Sequence, residues 1–208
     1  MQLVGYLDSP FVRRVAVSMR LLGIAYEHRE LSIFRNYDEF RALHPSVKVP
    51  TLILDDGSKL IDSSLIIVHL EQYVAGRSLM PVDAADHARA TERIGVATAA
   101  MEKVAQMIYE TGHRPQALQH APWLERVEQQ LAGAISLMEG WARAWHEAGS
   151  PWMFGNDISQ ADVSIAVAWR FIQHIDRARR DEEDFPALAA FSAQAEALPE
   201  FLACPLSG

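Results

Sequence analysis

The sequence predicts an α+β fold in two parts: a βαβαββα unit over residues 1–76 and an all-helical domain over residues 84–208, with a linker at 77–83. Three observations predict it. Strand and helix signals alternate through the first 80 residues, strand signals stop after Gly76, and from there the apolar positions recur at helical spacing. Half of the 208 residues are hydrophobic and 22% are charged, so the chain can close a sizeable core.

Residues 2–6 form a short strand. From Val12 the apolar positions Val12, Val15, Ala16, Met19 and Leu22 recur at helical spacing, with Ser9 as N-cap, Pro10 in the first turn and Gly23 as the stop. Residues 26–31 read as a second strand, 36–43 as a short helix, and 50–54 as a third strand opened by Pro50. Asp56-Gly57 is a two-residue hairpin signal that returns residues 58–61 as an antiparallel fourth strand, and a helix over 63–75 closes the unit. A loop with Gly76, Pro81 and Asp83 then leads into a long helix over 84–111, broken by Gly112 and Pro115, and a second over 122–146, ended by Gly149-Ser150-Pro151. Ser159-Gln160-Ala161-Asp162 is a capping box, with Asp in place of Glu, that opens a helix to about residue 175; Pro186 opens a last one to about residue 197. The acidic run Asp181 to Asp184 is a solvated loop.

Composition narrows the chemistry. No apolar run approaches the ~18 residues that span a bilayer, and Met1-Gln2-Leu3 has neither the basic start nor the apolar stretch of a secretion signal, so a soluble cytoplasmic protein is expected. The single cysteine, Cys204, excludes an intrachain disulfide framework, a CxxC redox pair and a Cys-rich zinc site. Residues 1–80 carry nine basic and nine acidic side chains and residues 81–208 carry ten and eighteen, so the whole net charge of −8 lies in the second part. That distribution argues against nucleic acid or an anionic membrane as partner. There is no GxSxG elbow and no ordered Ser, acid and His set, which disfavours a serine hydrolase.

Three short segments carry chemistry. Ser9 places a hydroxyl at a helix N-terminus, where first-turn amides and the dipole favour an anion, a thiolate included. A hydrogen bond to a charged acceptor contributes ~1.5–3 kcal/mol and the terminus ~0.3–1 kcal/mol, enough to lower a bound thiol's pKa from ~8.5 by about one to three units. An N-cap without ligand accounts for Ser9 equally well. In Lys48-Val49-Pro50-Thr51 the proline opens a strand and leaves the preceding backbone free to pair with an extended ligand, or simply starts an edge strand; nothing local fixes its peptide bond as cis. Asp62-Ser63-Ser64 offers amides and a hydroxyl for a ligand carboxylate and an acid for a ligand ammonium; capping alone also explains the trio.

In this order and spacing the segments Ser9-Pro10-Phe11-Val12-Arg13-Arg14-Val15, Lys48-Val49-Pro50-Thr51-Leu52, Asp62-Ser63-Ser64-Leu65-Ile66-Ile67-Val68 and Ser159-Gln160-Ala161-Asp162 resemble the cytosolic glutathione transferases over essentially the whole chain. The resemblance is greatest to serine-type members such as the tau and theta classes and their bacterial relatives. It implies a thioredoxin-like domain followed by an all-helical one, glutathione as co-substrate, no metal, a homodimer, and an electrophile pocket carried mostly by the helical domain. Position by position it implies that Ser9 hydrogen-bonds the glutathione sulfur, that the Val49 backbone, before a cis-proline at Pro50, pairs with the cysteinyl part, and that Asp62 and Ser63 hold the γ-glutamyl end. Lys48 lies where some members place a basic residue near the glycyl carboxylate. Asp162 matches the family's structural capping aspartate. Two departures bear on this: many relatives have Glu or Gln at the position of Asp62, and Tyr6 lies close to where tyrosine-type members carry their thiol-activating phenol. A cysteine in place of Ser9 would imply the mixed-disulfide chemistry of omega or beta types.

The activity so implied is attack of the thiolate on a small hydrophobic electrophile. Alternatives from the same fold are glutathione-dependent cis–trans isomerisation of the maleylacetoacetate type and a non-catalytic interaction module. Candidates for the apolar pocket are Phe11, Phe34, Met101, Met107, Ile108, Tyr109 and Trp169, each equally readable as helix core. Arg170, Arg177, Arg179 and Arg180 read as a solvated, ion-paired helix face.

Overall fold

The computed structural model describes residues 1–74, 76–176 and 180–206. The chain divides into two compact units, Met1–Leu79 together with Ala197–Gly208, and Met80–Glu196. The first contains β1 (Gln2–Val4), α1 (Pro10–Leu21), β2 (Glu27–Arg29), α2 (Tyr37–Leu43), β3 (Thr51–Ile53), β4 (Lys59–Ile61) and α3 (Ser63–Tyr73), the βαβαββα order of a thioredoxin-like domain. The sheet order is β2-β1-β3-β4, with β1 parallel to β2 and antiparallel to β3, and β3 antiparallel to β4.

The strands are shorter than the apolar windows that foretold them, for backbone reasons. At Gly5 the chain leaves β1 with φ +135°, and Pro50 has no N–H to give to a ladder. The hairpin loop is three residues long rather than two: Leu54 N–H donates to Ser58 O at 2.8 Å across Asp55-Asp56-Gly57, and Gly57 takes the left-handed position at φ +86°. On one face of the sheet Val4 and Leu31 pack with Phe40 of α2, flanked by Leu43, Val47, Val49 and Ile53. Leu3, one residue along the pleat, points to the opposite face, the side on which α1 packs against β1 and α3. The helix expected over 63–75 runs to Tyr73; Ala75 lies outside the described residues.

The C-terminal end departs from the expected division, which assigned all of 84–208 to the helical domain. From Ala197 onward the chain joins the first unit, and the short α8 (Pro199–Leu202) packs on α1. Arg13 on α1, 1% exposed, holds it there: its Nε donates to the Cys204 carbonyl at 2.8 Å and its guanidinium lies 5.7 Å from the Phe201 ring centroid.

The second unit contains α4 (Ala84–Ile108), α5 (Ala121–Ala148), α6 (Gln160–Asp176) and α7 (Pro186–Glu196). α6 is buried around most of its circumference because α4 and α7 both pack on it. Glu139 of α5, nearly buried, accepts from Leu188 N–H at 2.8 Å and so satisfies the start of α7, where Pro186 supplies no donor. α4 stops short of residue 111 and widens into a π turn, Tyr109–His113, followed by a 3₁₀ turn at Gln116–Leu118. The buried Glu110 carboxylate ties this segment together, accepting from His120 N–H at 2.8 Å and pairing with Arg114 at 2.9 Å. Among the described residues no helix is long and apolar enough to cross a membrane.

Candidate functional site

Strand register puts the three chemistry-bearing segments at one end of the sheet. Val4 of β1 pairs with Thr51 of β3, which pairs with Ile61 of β4. The residues just beyond them, Gly5, Pro50 and Asp62, therefore emerge side by side. Gly5 makes the approach possible: a Cβ there would lie 2.6 Å from Val12 Cγ2 and 3.0 Å from Val49 Cγ1, so only glycine lets the start of α1 and the loop before β3 close in together.

Ser9 has the backbone of an N-cap, φ −75° and ψ 119°, and its carbonyl accepts the first helical bond from Arg13 N–H at 2.9 Å. Its hydroxyl, however, makes no capping bond. Pro10 removes one donor from the first turn, and Ser9 is half-buried. Tyr6, also half-buried, lies under the Arg35 guanidinium at 5.1 Å from its ring centroid.

The Val49–Pro50 peptide bond is cis. Among the described residues neither the N–H nor the C=O of Val49 is hydrogen-bonded within the chain, so its main chain can take an extended partner. The preceding carbonyl, that of Lys48, is held by Thr51 Oγ1 at 2.7 Å, and the Lys48 side chain is exposed.

At the start of α3, Asp62 adopts φ +70° and ψ 122°, a conformation non-glycine residues rarely take. Strain of this kind collects at ligand sites. One carboxylate oxygen accepts from Ser64 N–H at 2.9 Å and Leu65 N–H at 3.4 Å; the other has no hydrogen bond among the described residues. Ser63 and Ser64 each accept at 3.2 Å from the same Nη1 of Arg14. Arg14 is 1% exposed, and burial pulls its guanidinium down to about 10 while the Asp62 charge acts the other way, so it remains a cation at neutral pH.

Sequence reasoning singled out Ser9, Val49, Asp62 and Ser63 as candidates, and the structure brings their backbones to one sheet end, with Lys48 one residue before Val49. It missed Arg14 and Gly5. Of the pocket candidates, Met101 and Trp169 are core residues of the second unit, Phe34 and Tyr109 are about half exposed, and Phe11, Met107 and Ile108 are intermediate. Arg170 is exposed and Arg180 pairs with Glu128 at 3.6 Å; Arg177 and Arg179 lie outside the described residues. No cluster of three or more His, Cys, Asp or Glu side chains fit for a metal occurs among the described residues.

The family profile of the glutathione S-transferase N-terminal domain matches residues 3–78, and that of the C-terminal domain matches residues 121–194. A probable maleylacetoacetate isomerase of Drosophila melanogaster is 26% identical over 210 residues, covering 97% of this chain and 79% of that protein. The crystal structure of a glutathione S-transferase from Methylobacterium radiotolerans, in complex with glutathione sulfonate, superposes with TM-score 0.88 at 22% identity over 100% of this chain and 95% of that one. A glutathione transferase family member from Pseudomonas fluorescens, with bound glutathione, does so with TM-score 0.84 at 25% identity over 100% and 99%. Two domain profiles in the family's own order, on a thioredoxin-like unit and a helical unit in that same order, leave one conclusion: the chain belongs to the glutathione S-transferase family.

Proposed function

We propose that this protein is a serine-type glutathione transferase that holds the glutathione thiol as thiolate for attack on a small hydrophobic electrophile. The observation that carries the reading is the Ser9 hydroxyl, set at the N-terminus of α1 without a capping bond. A hydroxyl so placed donates to the sulfur anion while the first-turn amides and dipole add to it, and a lowered thiol pKa raises the thiolate fraction at neutral pH. The Val49 main chain pairs with the cysteinyl residue, Asp62 takes the γ-glutamyl ammonium through its unbonded oxygen, Ser63 takes the neighbouring carboxylate, and Lys48 lies on the glycyl side. In this division of labour residues 1–76 bind glutathione and the helical region, residues 84–208, carries most of the electrophile's apolar surface.

The protein is cytoplasmic in this reading and works as a homodimer; Leu65, Val68 and Tyr73 support the second point, being exposed apolar side chains on one face of α3. Light scattering on the purified chain tests it, a monomer being the contrary result. For the chemistry the direct test is the ultraviolet absorbance of bound thiolate in wild type and Ser9→Ala: the signal is lost in the variant at neutral pH if Ser9 stabilises the anion, and persists if it does not.

One observation favours a second reading. A relative that matches over nearly the whole chain carries the name of a probable maleylacetoacetate isomerase. In that chemistry glutathione adds to and leaves a double bond, so intact glutathione is recovered after turnover, whereas conjugation consumes it. A non-catalytic module would bind glutathione weakly or not at all, and calorimetric titration separates it from both.

A further inference from the structure

The joint between β1 and α1 contains a side-chain contact that the reading above does not use. β1 ends at Gly5, a residue whose own sterics leave its backbone free to rotate. The Gly5 N–H donates to the Arg29 carbonyl of β2 at 3.0 Å. Gly5 is buried, and its carbonyl has no main-chain donor among the described residues. The imidazole of His28, also on β2, takes that place, with Nε2 2.7 Å from Gly5 O. A carbonyl only accepts, so Nε2 carries the proton and the contact fixes the tautomer. β2 thus holds both peptide groups of one glycine, the first through main chain and the second through a side chain.

Two segments of the site meet at that glycine. Val12 of α1 and Val49 approach it so closely that a Cβ would lie 2.6 Å from Val12 Cγ2 and 3.0 Å from Val49 Cγ1. Ser9 N–H donates to Tyr6 O at 3.2 Å, so the turn from Gly5 to Ser9 is tight, and a rotation of the Gly5 carbonyl is passed on to Ser9. A water molecule would satisfy the carbonyl, but it would not fix the plane of the peptide, whereas a ring anchored on a strand does. Reacting groups must be held to about 0.5 Å, and a misplacement of about 1 Å costs up to about 100-fold in rate. We infer that His28 is a positioning residue for thiol activation: by holding the Gly5 carbonyl it fixes the β1–α1 turn, and with it the aim of the Ser9 hydroxyl at the bound sulfur. This rests on the proposed role of Ser9.

His28→Phe keeps a ring and removes the donor; His28→Gln returns an N–H at similar reach. With glutathione bound to the full chain, pH titration of the thiolate absorbance should place the thiol's pKa about half to one unit higher in His28→Phe than in wild type, roughly a three- to tenfold fall in the ratio of thiolate to thiol. In a chloronitrobenzene conjugation assay at neutral pH kcat should fall by a similar factor. His28→Gln should recover most of both, while calorimetric affinity for glutathione stays within about threefold throughout. In a Ser9→Ala background His28→Phe should change neither quantity further, because a residue that acts through Ser9 has nothing left to aim. A His28→Phe protein that keeps the wild-type thiol pKa, whatever it loses in stability, overturns the inference, and so does an equal effect in both backgrounds. If circular dichroism finds His28→Phe unfolded, His28→Val, suited to a strand, is measured in its place and judged by the same outcomes. A wild type with no bound thiolate at neutral pH overturns the serine-type reading and this inference with it, whereas a wild type with that signal and variants that match it overturn the inference alone.

Discussion

Two helix starts in this chain are written in nearly the same letters and do opposite things. α6 opens with Ser159-Gln160-Ala161-Asp162 and α3 with Asp62-Ser63-Ser64. At α6 the carboxylate is wholly buried and fully engaged: Asp162 accepts from Ser159 N–H at 2.7 Å, Ser159 Oγ at 2.6 Å and Met153 N–H at 3.1 Å. Burial raises its pKa and those donors pull it back down. At α3 the aspartate has one oxygen without a hydrogen bond, stands at a strained φ, and has beside it a serine whose proton is left over. Ser9 at α1 belongs with α3, its hydroxyl being without a capping bond. Hydrogen-bond saturation, rather than residue type, separates the folding cap from the proposed ligand site.

The largest effect should come from breaking the saturated start. Asp162→Ala orphans two buried donors and a part-buried one and is expected to lower stability by about 3–5 kcal/mol, read from denaturant midpoints, with affinity for glutathione in the folded fraction unchanged. A loss below ~1 kcal/mol would put the two helix starts in one class. Ser9→Ala sharpens the contrast from the other side. It should depress kcat by about 100-fold and raise the bound thiol's pKa by about one to three units, yet alter stability by less than the ~1 kcal/mol an ordinary N-cap serine contributes. Tyr6→Phe is the control, because the rival phenol should leave the thiolate absorbance where it was.

How much of this was legible beforehand follows from the same distinction. Patterning revealed the element order from β1 to α7, since a period of two or of 3.6 is a property of the sequence alone. It also led to Ser9, Val49, Asp62 and Ser63, because hydroxyls, acids and a proline at element starts are local signals. Arg14 was invisible: on α1 it stands about 200° from Val12, on the side a helical projection assigns to solvent, and only the packing of other elements buries it. The tail shows the same limit. Nothing in Phe201 or Cys204 says that Arg13, some 190 positions earlier, will hold them. The saturation of a given aspartate is likewise a tertiary fact, so Asp62 and Asp162 could be told apart only by resemblance until the geometry was known.

Gly5 tests whether the close approach at the sheet end matters to the site alone. Gly5→Ala puts a methyl against Val12 and Val49 at a φ of +135°. Destabilisation of about 1–3 kcal/mol is expected, accompanied by weaker glutathione binding, because the Ser9 and Val49 segments must part. A variant that loses stability but binds as before would uncouple the two segments and remove Val49 from the site.

The smallest effect concerns a saturated polar group inside the first unit itself. Tyr26 is pushed up to about 12, first by burial and then by the neighbouring Cys204; its hydroxyl lies 3.8 Å from Cys204 Sγ, and the Arg20 guanidinium lies 5.8 Å from its ring centroid. An unfolded tyrosine ionises near its ordinary value of 10, so between that pH and about 12 the native chain holds a proton that the unfolded chain has lost. The contribution is therefore fully present below pH 10 and disappears as pH rises through 12. Thermal midpoints across this window should fall more steeply for the wild type than for Tyr26→Phe, and glutathione binding at neutral pH should be the same in both. Parallel curves would mean that the tail beside α1 leaves this hydroxyl in contact with water, and a changed affinity would extend the ligand site to the part of the unit where α8 packs on α1.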